Sequence, residues 1–273
     1  MVLKAIHTPP ARIYKHLHFK GIISIRVNKD KFFKIQHYGF AVENDLFWSG
    51  IVGEWEGESL KLWRDVCVFH STIFDVGANT GVYALLARTI HPKAKVYAFE
   101  PVLRVHKKLI KNNVLNNFDI VCENFALSNK DGKAIIYDIE EEHTYSVTVN
   151  KNLHTPGLPT FPCEIETVRL DSYIQKNNIQ KVDLFKIDVE SHEPEVLEGL
   201  GHFLELWKPS FLLEVLNNEI GKRVEALFER NNYLFFRMEE RGISQTKNIT
   251  ISGAYCNFFI CQPEIAKKAK LIP

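Results

Sequence analysis

The chain has 273 residues, 45 % of them apolar and 25 % charged, with a formal net charge of +1. That length suits one large domain with an added lobe, and the balance is that of a folded soluble protein. The near-neutral charge argues against a nucleic-acid surface, and no apolar run approaches the ~20 residues of a membrane span. Five cysteines without CxxC spacing argue against a disulfide framework or zinc site. No signal-peptide pattern stands at the N-terminus, so a cytoplasmic location is the expectation.

Residues 22–27 and 32–38 alternate weakly and predict two short strands. Residues 47–58 follow as a glycine-punctuated aromatic loop. Leu60, Trp63 and Cys67 then fall at helical spacing and predict a helix over 59–68. Residues 1–70 read as an N-terminal lobe or lid, 71–263 as the core, and 264–273, with Lys267, Lys268 and Lys270, as a solvated tail. One of Trp48 and Trp55 at least is expected in the core of the lobe, and Glu54, Trp55 and Glu58 form an acidic-aromatic group able to fold over a ligand, Glu58 as a contact.

From residue 72 strand, turn and helix alternate. The short β-branched run 72–76 suits a buried parallel strand. A helix over 82–90 is ended by Pro92. Residues 95–99 form the second strand, and Pro101 is placed to open a second helix. That helix ends in the asparagine-rich stretch 112–117. Strands follow at 120–125, 182–189 and 210–216, with helices opening near Pro194 and spanning 220–230. Residues 233–238 and 255–261 read as a closing hairpin. Residues 132–166 break the alternation; with Thr155-Pro156-Gly157-Leu158-Pro159 they read as an insertion near the mouth of a site. The pattern predicts an α/β fold: a mainly parallel, Rossmann-like sheet, a C-terminal antiparallel hairpin and a small N-terminal lobe.

The turn Asp75-Val76-Gly77-Ala78-Asn79-Thr80-Gly81 falls between the first core strand and its helix, where open α/β sheets bind ligands. A dinucleotide fingerprint needs glycines at 77, 79 and 82; Asn79 and Val82 stand there instead. No Gly-Lys-Ser/Thr follows, so a Walker loop also fails. Glu100, 19 residues beyond Gly81 at the end of the second strand, suits both ribose hydroxyls. Asp75 would repel a pyrophosphate but suits a cationic amine. Together these favour S-adenosylmethionine over a nicotinamide cofactor.

With Ala98-Phe99-Glu100-Pro101, Ala126-Leu127-Ser128 and Lys186-Ile187-Asp188-Val189-Glu190-Ser191-His192-Glu193, the turn resembles the FkbM-type methyltransferase family over about residues 72–262. The resemblance implies a class I methyltransferase fold and methyl transfer from S-adenosylmethionine to a hydroxyl of a sugar, glycolipid, polysaccharide end or polyketide-type product. It implies that Asp75, Gly77, Ala78, Asn79 and Gly81 surround the methionine end. It puts Glu100 on the ribose, Asn124 and Ala126 near adenine, and Asp188 before the sulfonium. Ser191 departs from it, standing where the family usually has glycine.

Methyl transfer to a hydroxyl needs in-line alignment and a group that removes the proton. Strand alternation sets Asp188 and Glu190 on one side. With Glu214 they are candidate ligands for magnesium. His192 is the candidate base, with Asp188 and Glu190 beside it; the competing role is a helix cap or a backbone hydrogen bond. Lys186 reads as an ion-pair partner. The expected partner is a small-molecule or glycan acceptor, and no nucleic acid. Two other readings are a non-catalytic S-adenosylmethionine-binding module of a larger assembly and, against the glycine pattern, a nucleotide-dependent oxidoreductase.

Overall fold

The structure, a computed structural model, describes residues 11–273 except 15, 18, 140–159, 240, 241, 252, 254 and 255. A short helix, α1 (Ala11–Tyr14), precedes an antiparallel pair, β1 (Gly21–Arg26) and β2 (Phe32–His37). The segment 47–58, expected as a loop, begins inside a helix, α2 (Ala41–Ser49), and continues as a 3-10 turn (Gly50–Val52), and the helix expected over 59–68 is α3 (Gly57–Cys67). Periodicity missed α2 because it buries Glu43, Asn44 and Asp45, which read as surface residues. Each has work inside. Glu43 Oε2 accepts from the amides of Tyr38 (2.7 Å) and Phe40 (3.3 Å), and Asp45 accepts from Tyr14 Oη (2.7 Å) and the Trp55 amide (3.0 Å).

The core is an eight-stranded sheet. Its parallel part comprises β3 (Thr72–Val76), β4 (Lys95–Phe99), β5 (Val121–Glu123), β9 (Leu184–Ile187) and β10 (Ser210–Glu214), in the order β5-β4-β3-β9-β10. Beyond β10 run β13 (Asn257–Cys261), β11 (Leu234–Glu239) and β12 (Gly242–Thr246), all antiparallel. The expected hairpin partners do pair, but β13 wedges between β10 and β11. The strand β12, which escaped the sequence reading, forms the edge. Tyr255 lies outside the described residues.

Alternation sends Ile73, Val96 and Ala98 into one apolar layer and Phe74, Val76, Phe99 and Phe185 into the other. Both faces are covered by helices, which is why these strands are continuously apolar. The register aligns the strand ends: Val76 pairs with Phe99 on one side and Ile187 on the other. Gly77, Glu100 and Asp188 therefore emerge side by side.

Helices α4 (Val82–Ile90) and α5 (Leu103–Leu115) follow β3 and β4. Pro101 does not enter the first turn of α5, whose N-cap is Val102. The asparagines near the end of α5 do more than stop it. Asn112 accepts from the Gln36 amide (2.8 Å) and donates to the Thr80 carbonyl (2.9 Å), and Asn116 pairs with both backbone groups of Lys34 (2.6 and 2.7 Å). The N-terminal sheet is thereby tied to the glycine turn.

The third strand is shorter than the 120–125 expected, and a further strand follows it. β5 stays in the sheet, while β6 (Ala126–Ser128) joins β7 (Gly132–Ile139) and β8 (Thr160–Arg169) in a separate three-stranded sheet, so the insertion begins and ends in structure. The run Thr155 to Pro159 lies outside the described residues. Helix α6 (Leu170–Lys176), not anticipated, leads back to β9; α7 (Glu193–Leu200), α8 (Phe203–Trp207) and α9 (Asn218–Phe228) cover the second face. The expected tail is instead a helix, α10 (Pro263–Lys268), with Ala266 fully buried and Ile265, Leu271 and Ile272 packed on the core. Among the described residues no helix is long and apolar enough to cross a membrane.

Candidate active site

A cavity of about 330 Å³ opens at the carboxyl ends of the parallel strands, within the size range of small-ligand pockets. Gly77, Ala78, Asn79 and Thr80 form its floor. Gly77 has φ +77° and Asn79 φ +52°, and a β-carbon on Gly77 would collide with the Asp188 carbonyl. Only a glycine lets the turn pass this close to β9. Gly81 does not line the cavity. It is the N-cap of α4 at φ +91° and packs against Leu109, so its role is to turn the chain into the helix.

Glu100 lines the cavity and is 6 % exposed. Its Oε2 accepts from the Asn79 amide and its Oε1 from the Val102 amide, both at 2.9 Å. Each oxygen keeps lone pairs for a vicinal diol. Burial pushes the empty carboxyl up to about 7. Asn124, expected near adenine, is not in the cavity wall; its side-chain amide donates to the carbonyls of Glu100 and Pro101 (2.9 Å each) and fixes that corner. Ala126 does line the cavity, alongside Ala134, Ile136, Ile165 and Thr167 of the smaller sheet.

Asp75 lines the floor but is 1 % exposed, and its Oδ2 accepts from the Ala84 amide at 2.9 Å, capping α4 from below. Burial holds its carboxyl up at about 7. Beside it in register stands Lys186, buried in the middle of β9, whose Nζ reaches Asp188 Oδ2 at 3.2 Å. Burial opposes charge on Lys186, but Asp188, Glu56 and Glu214 outweigh it and raise its pKa. Burial likewise opposes charge on Asp188, yet Lys186 and a hydrogen bond from Glu214 hold it ionised. Burial and Asp188 push Glu214 up to about 9, so Glu214 keeps its proton. Lys186 is thus more than the bystander ion-pair partner of the sequence reading: it lines the cavity.

These contacts also answer the magnesium expectation. Asp188, Glu190 and Glu214 all line the cavity, but no group of three or more His, Cys, Asp or Glu among the described residues is arranged to hold a metal ion. The Lys186 ammonium already sits on Asp188, and Glu214 is spent as its donor.

The β9–α7 turn carries Glu190 and Ser191 at φ +54° and +79°, so Ser191 keeps the left-handed shape that glycine adopts most cheaply. Glu193 accepts from the amides of Val189 (3.1 Å) and Ser191 (3.3 Å) and clamps the turn. Burial, then Asp188, raises Glu190 to about 7. His192 is the N-cap residue of α7, but its ring makes no capping bond. Its Nε2 lies 3.0 Å from Ser128 Oγ and its Nδ1 3.5 Å from Glu195 Oε2, and it lines the cavity.

Glu58 is not at the site. It sits in the first turn of α3 and pairs with Lys61 at 2.6 Å. Its near neighbour Glu56 lines the cavity instead, accepting from the Tyr83 hydroxyl, with Trp55 next to it. Of Trp48 and Trp55, Trp48 is the buried one, 8 % exposed and stacked near Tyr14. Two carboxylates flanking one glycine, Glu56 and Glu58, cannot be assigned to cavity or surface from spacing alone.

The ionisable groups lining the cavity are six carboxyl groups (Glu56, Asp75, Glu100, Asp188, Glu190 and Glu214), one lysine and His192. Such a wall selects a nucleoside that carries positive charge, which fits the sulfonium and ammonium of S-adenosylmethionine, and the α/β architecture that presents it is that of the class I methyltransferases that use this cofactor. More particularly, the chain belongs to the methyltransferase FkbM domain family, whose profile matches residues 75–239.

Relatives include the hexuronic acid methyltransferase AglP of Haloferax volcanii, 28 % identical over 55 % of this chain and 58 % of its own length. The 31-O-demethyl-FK506 methyltransferase FkbM of Streptomyces tacrolimicus is 32 % identical over 47 % of this chain and 58 % of its own. The 2-O-methyltransferase NoeI of Sinorhizobium fredii is 29 % identical over 52 % and 63 %. The chain thus spans under two thirds of the length of these relatives. Among solved structures, methyltransferase FkbM from Methylobacillus flagellatus aligns over 70 % of this chain and 43 % of its own at 11 % identity and TM-score 0.43. An O-methyltransferase from Bacillus cereus in complex with SAH aligns over 77 % and 80 % at 15 % identity and TM-score 0.44.

Proposed function

We propose that this methyltransferase transfers its methyl group to a hydroxyl of a sugar, polysaccharide end or related small molecule, with His192 as general base. The observation that carries this reading is that His192 lines the same cavity as the glycine turn and Glu100. Burial lowers its pKa against the pull of Glu195, so the ring is neutral and able to accept a proton at pH 7. A hydroxyl is a weak nucleophile until its proton has somewhere to go.

When bound, the cofactor supplies an electrophilic methyl carbon on a sulfonium. Glu195 Oε2, 3.5 Å from Nδ1, favours the tautomer protonated there. The Nε2 lone pair then faces Ser128 Oγ at 3.0 Å, a hydroxyl in the position an acceptor hydroxyl would take or hand its proton through. Asp188, held ionised by Lys186, offers negative charge to a cationic centre. Arg223 bonds Glu195 (2.9 Å) and Glu198 (3.2 Å), fixing the carboxylate behind the imidazole. The names of the relatives, which cover a hexuronic acid and a 2-O position, support a hydroxyl acceptor.

The test is a methyl-transfer screen with labelled cofactor over uronic acids, oligosaccharides, glycolipids and polyketides, with mass spectrometry of the product. An O-methyl product is expected, with His192→Gln lowering kcat about 100-fold or more at unchanged cofactor affinity. An N- or C-methylated product, or wild-type kcat in His192→Gln, would refute the reading.

A further inference from the structure

Glu56 belongs to the N-terminal lobe, outside the span matched by the family profile, and yet its side chain lines the cofactor cavity. We infer that Glu56 binds the α-ammonium group at the methionine end of the cofactor, which makes the N-terminal segment a wall of the cofactor site.

The position of Glu56 is imposed from several directions. It is the N-cap of α3 at φ +46°, and its carbonyl accepts from the Leu60 amide at 2.9 Å. The preceding Trp55 amide is held by Asp45 at 3.0 Å, and Asp45 in turn by Tyr14. The side chain reaches across to α4, where Tyr83 donates its hydroxyl to Oε2. Tyr83 is 6 % exposed, and burial raises its pKa well above the usual value, so it stays a donor. Tyr83 is the one hydrogen-bond donor to Glu56 among the described residues, which leaves Oε1 for a ligand.

The charge balance around Glu56 calls for a second cation. Glu56, Asp188 and Glu214 all act on the single ammonium of Lys186. Glu214 retains a proton, which leaves Glu56 and Asp188 sharing one lysine at the cavity. Burial raises the pKa of Glu56 even though the Lys186 ammonium and the Tyr83 hydroxyl favour its charged form. Asp75, the carboxylate the sequence suggested for this amine, is 1 % exposed and has one oxygen on the Ala84 amide beneath the turn. Glu56 is half-buried and turned to the cavity, so it is the carboxylate that an incoming ammonium can meet.

The test uses two ligands that share adenosine and thioether and differ in the amino-acid portion: S-adenosylhomocysteine and 5′-methylthioadenosine. By isothermal titration, Glu56→Gln is expected to weaken S-adenosylhomocysteine at least tenfold and 5′-methylthioadenosine less than twofold. Tyr83→Phe, which removes the donor without altering charge, is expected to show the same selectivity at smaller size. It provides the measurement should Glu56→Gln fail to fold, as judged by its ligand-free melting curve. Equal losses for both ligands, or no loss for either, overturn the inference. A wild-type chain that binds neither ligand overturns it together with the cofactor assignment.

Discussion

At Gly77 the backbone passes so close to the Asp188 carbonyl that no β-carbon fits, and φ is +77°. Gly77→Ala is expected to cost about 1–3 kcal/mol of stability and to lower cofactor affinity at least tenfold, read from urea unfolding and calorimetric titration. Glu100 gives a contrasting case, because both its oxygens already accept backbone amides. Glu100→Gln turns an NH₂ toward one of those amides, leaving it unpaired at a cost of about 1–3 kcal/mol. A loss of cofactor affinity is expected with it; a variant as stable as wild type that binds as tightly would show that the ribose contact lies elsewhere.

The β9–α7 turn concentrates strain at two consecutive residues with positive φ, and the Ser191 hydroxyl is buried without a partner. Left-handed backbone costs a non-glycine residue about 1–2 kcal/mol, part of which glycine returns as unfolded-state entropy. Ser191→Gly is therefore expected to raise the melting temperature while leaving kcat within about twofold of wild type. The neighbouring strand tips make a separate prediction. Since Lys186 already neutralises Asp188 and Glu214 keeps a proton, activity is expected to survive exhaustive EDTA treatment. A loss restored by magnesium would mean that cofactor or acceptor binding displaces the lysine.

Over the whole molecule, burial raises Asp75, Glu100, Glu190 and Glu193 to about 7 and Glu214 to about 9. A carboxyl whose pKa is higher folded than unfolded stabilises the fold below its unfolded value near 4.5 and loses that contribution as pH rises through the folded value. The ligand-free protein is thus expected to lose stability between about pH 4.5 and 9, the last part of that range through Glu214. A cationic ligand stabilises these carboxyls in their ionised form, so the thermal shift caused by S-adenosylmethionine is expected to be larger at pH 8 than at pH 6. A shift independent of pH would show that the acidic wall does not meet the cofactor's charge.

How much of this was legible beforehand depends on how local the signal is. The glycine turn, β3, β4, α4 and the acidic end of β4 were read directly, because strand period, helix period and glycine punctuation are properties of neighbouring residues. The family, too, followed from short motifs in order. Helix α2 was missed because its buried polar residues mimic a surface, and the cavity carboxylate of the following loop is Glu56, two residues before the Glu58 expected there. Asn112 and Asn116 looked like a helix stop, yet they dock a sheet more than seventy residues away in the chain. The glycine turn itself was determined by the sequence alone, since only glycine tolerates that backbone. Which carboxylates face the cavity, and whether Lys186 rather than a metal balances them, was decided only by the tertiary structure, because charge balance depends on distances between strands that the chain order does not contain.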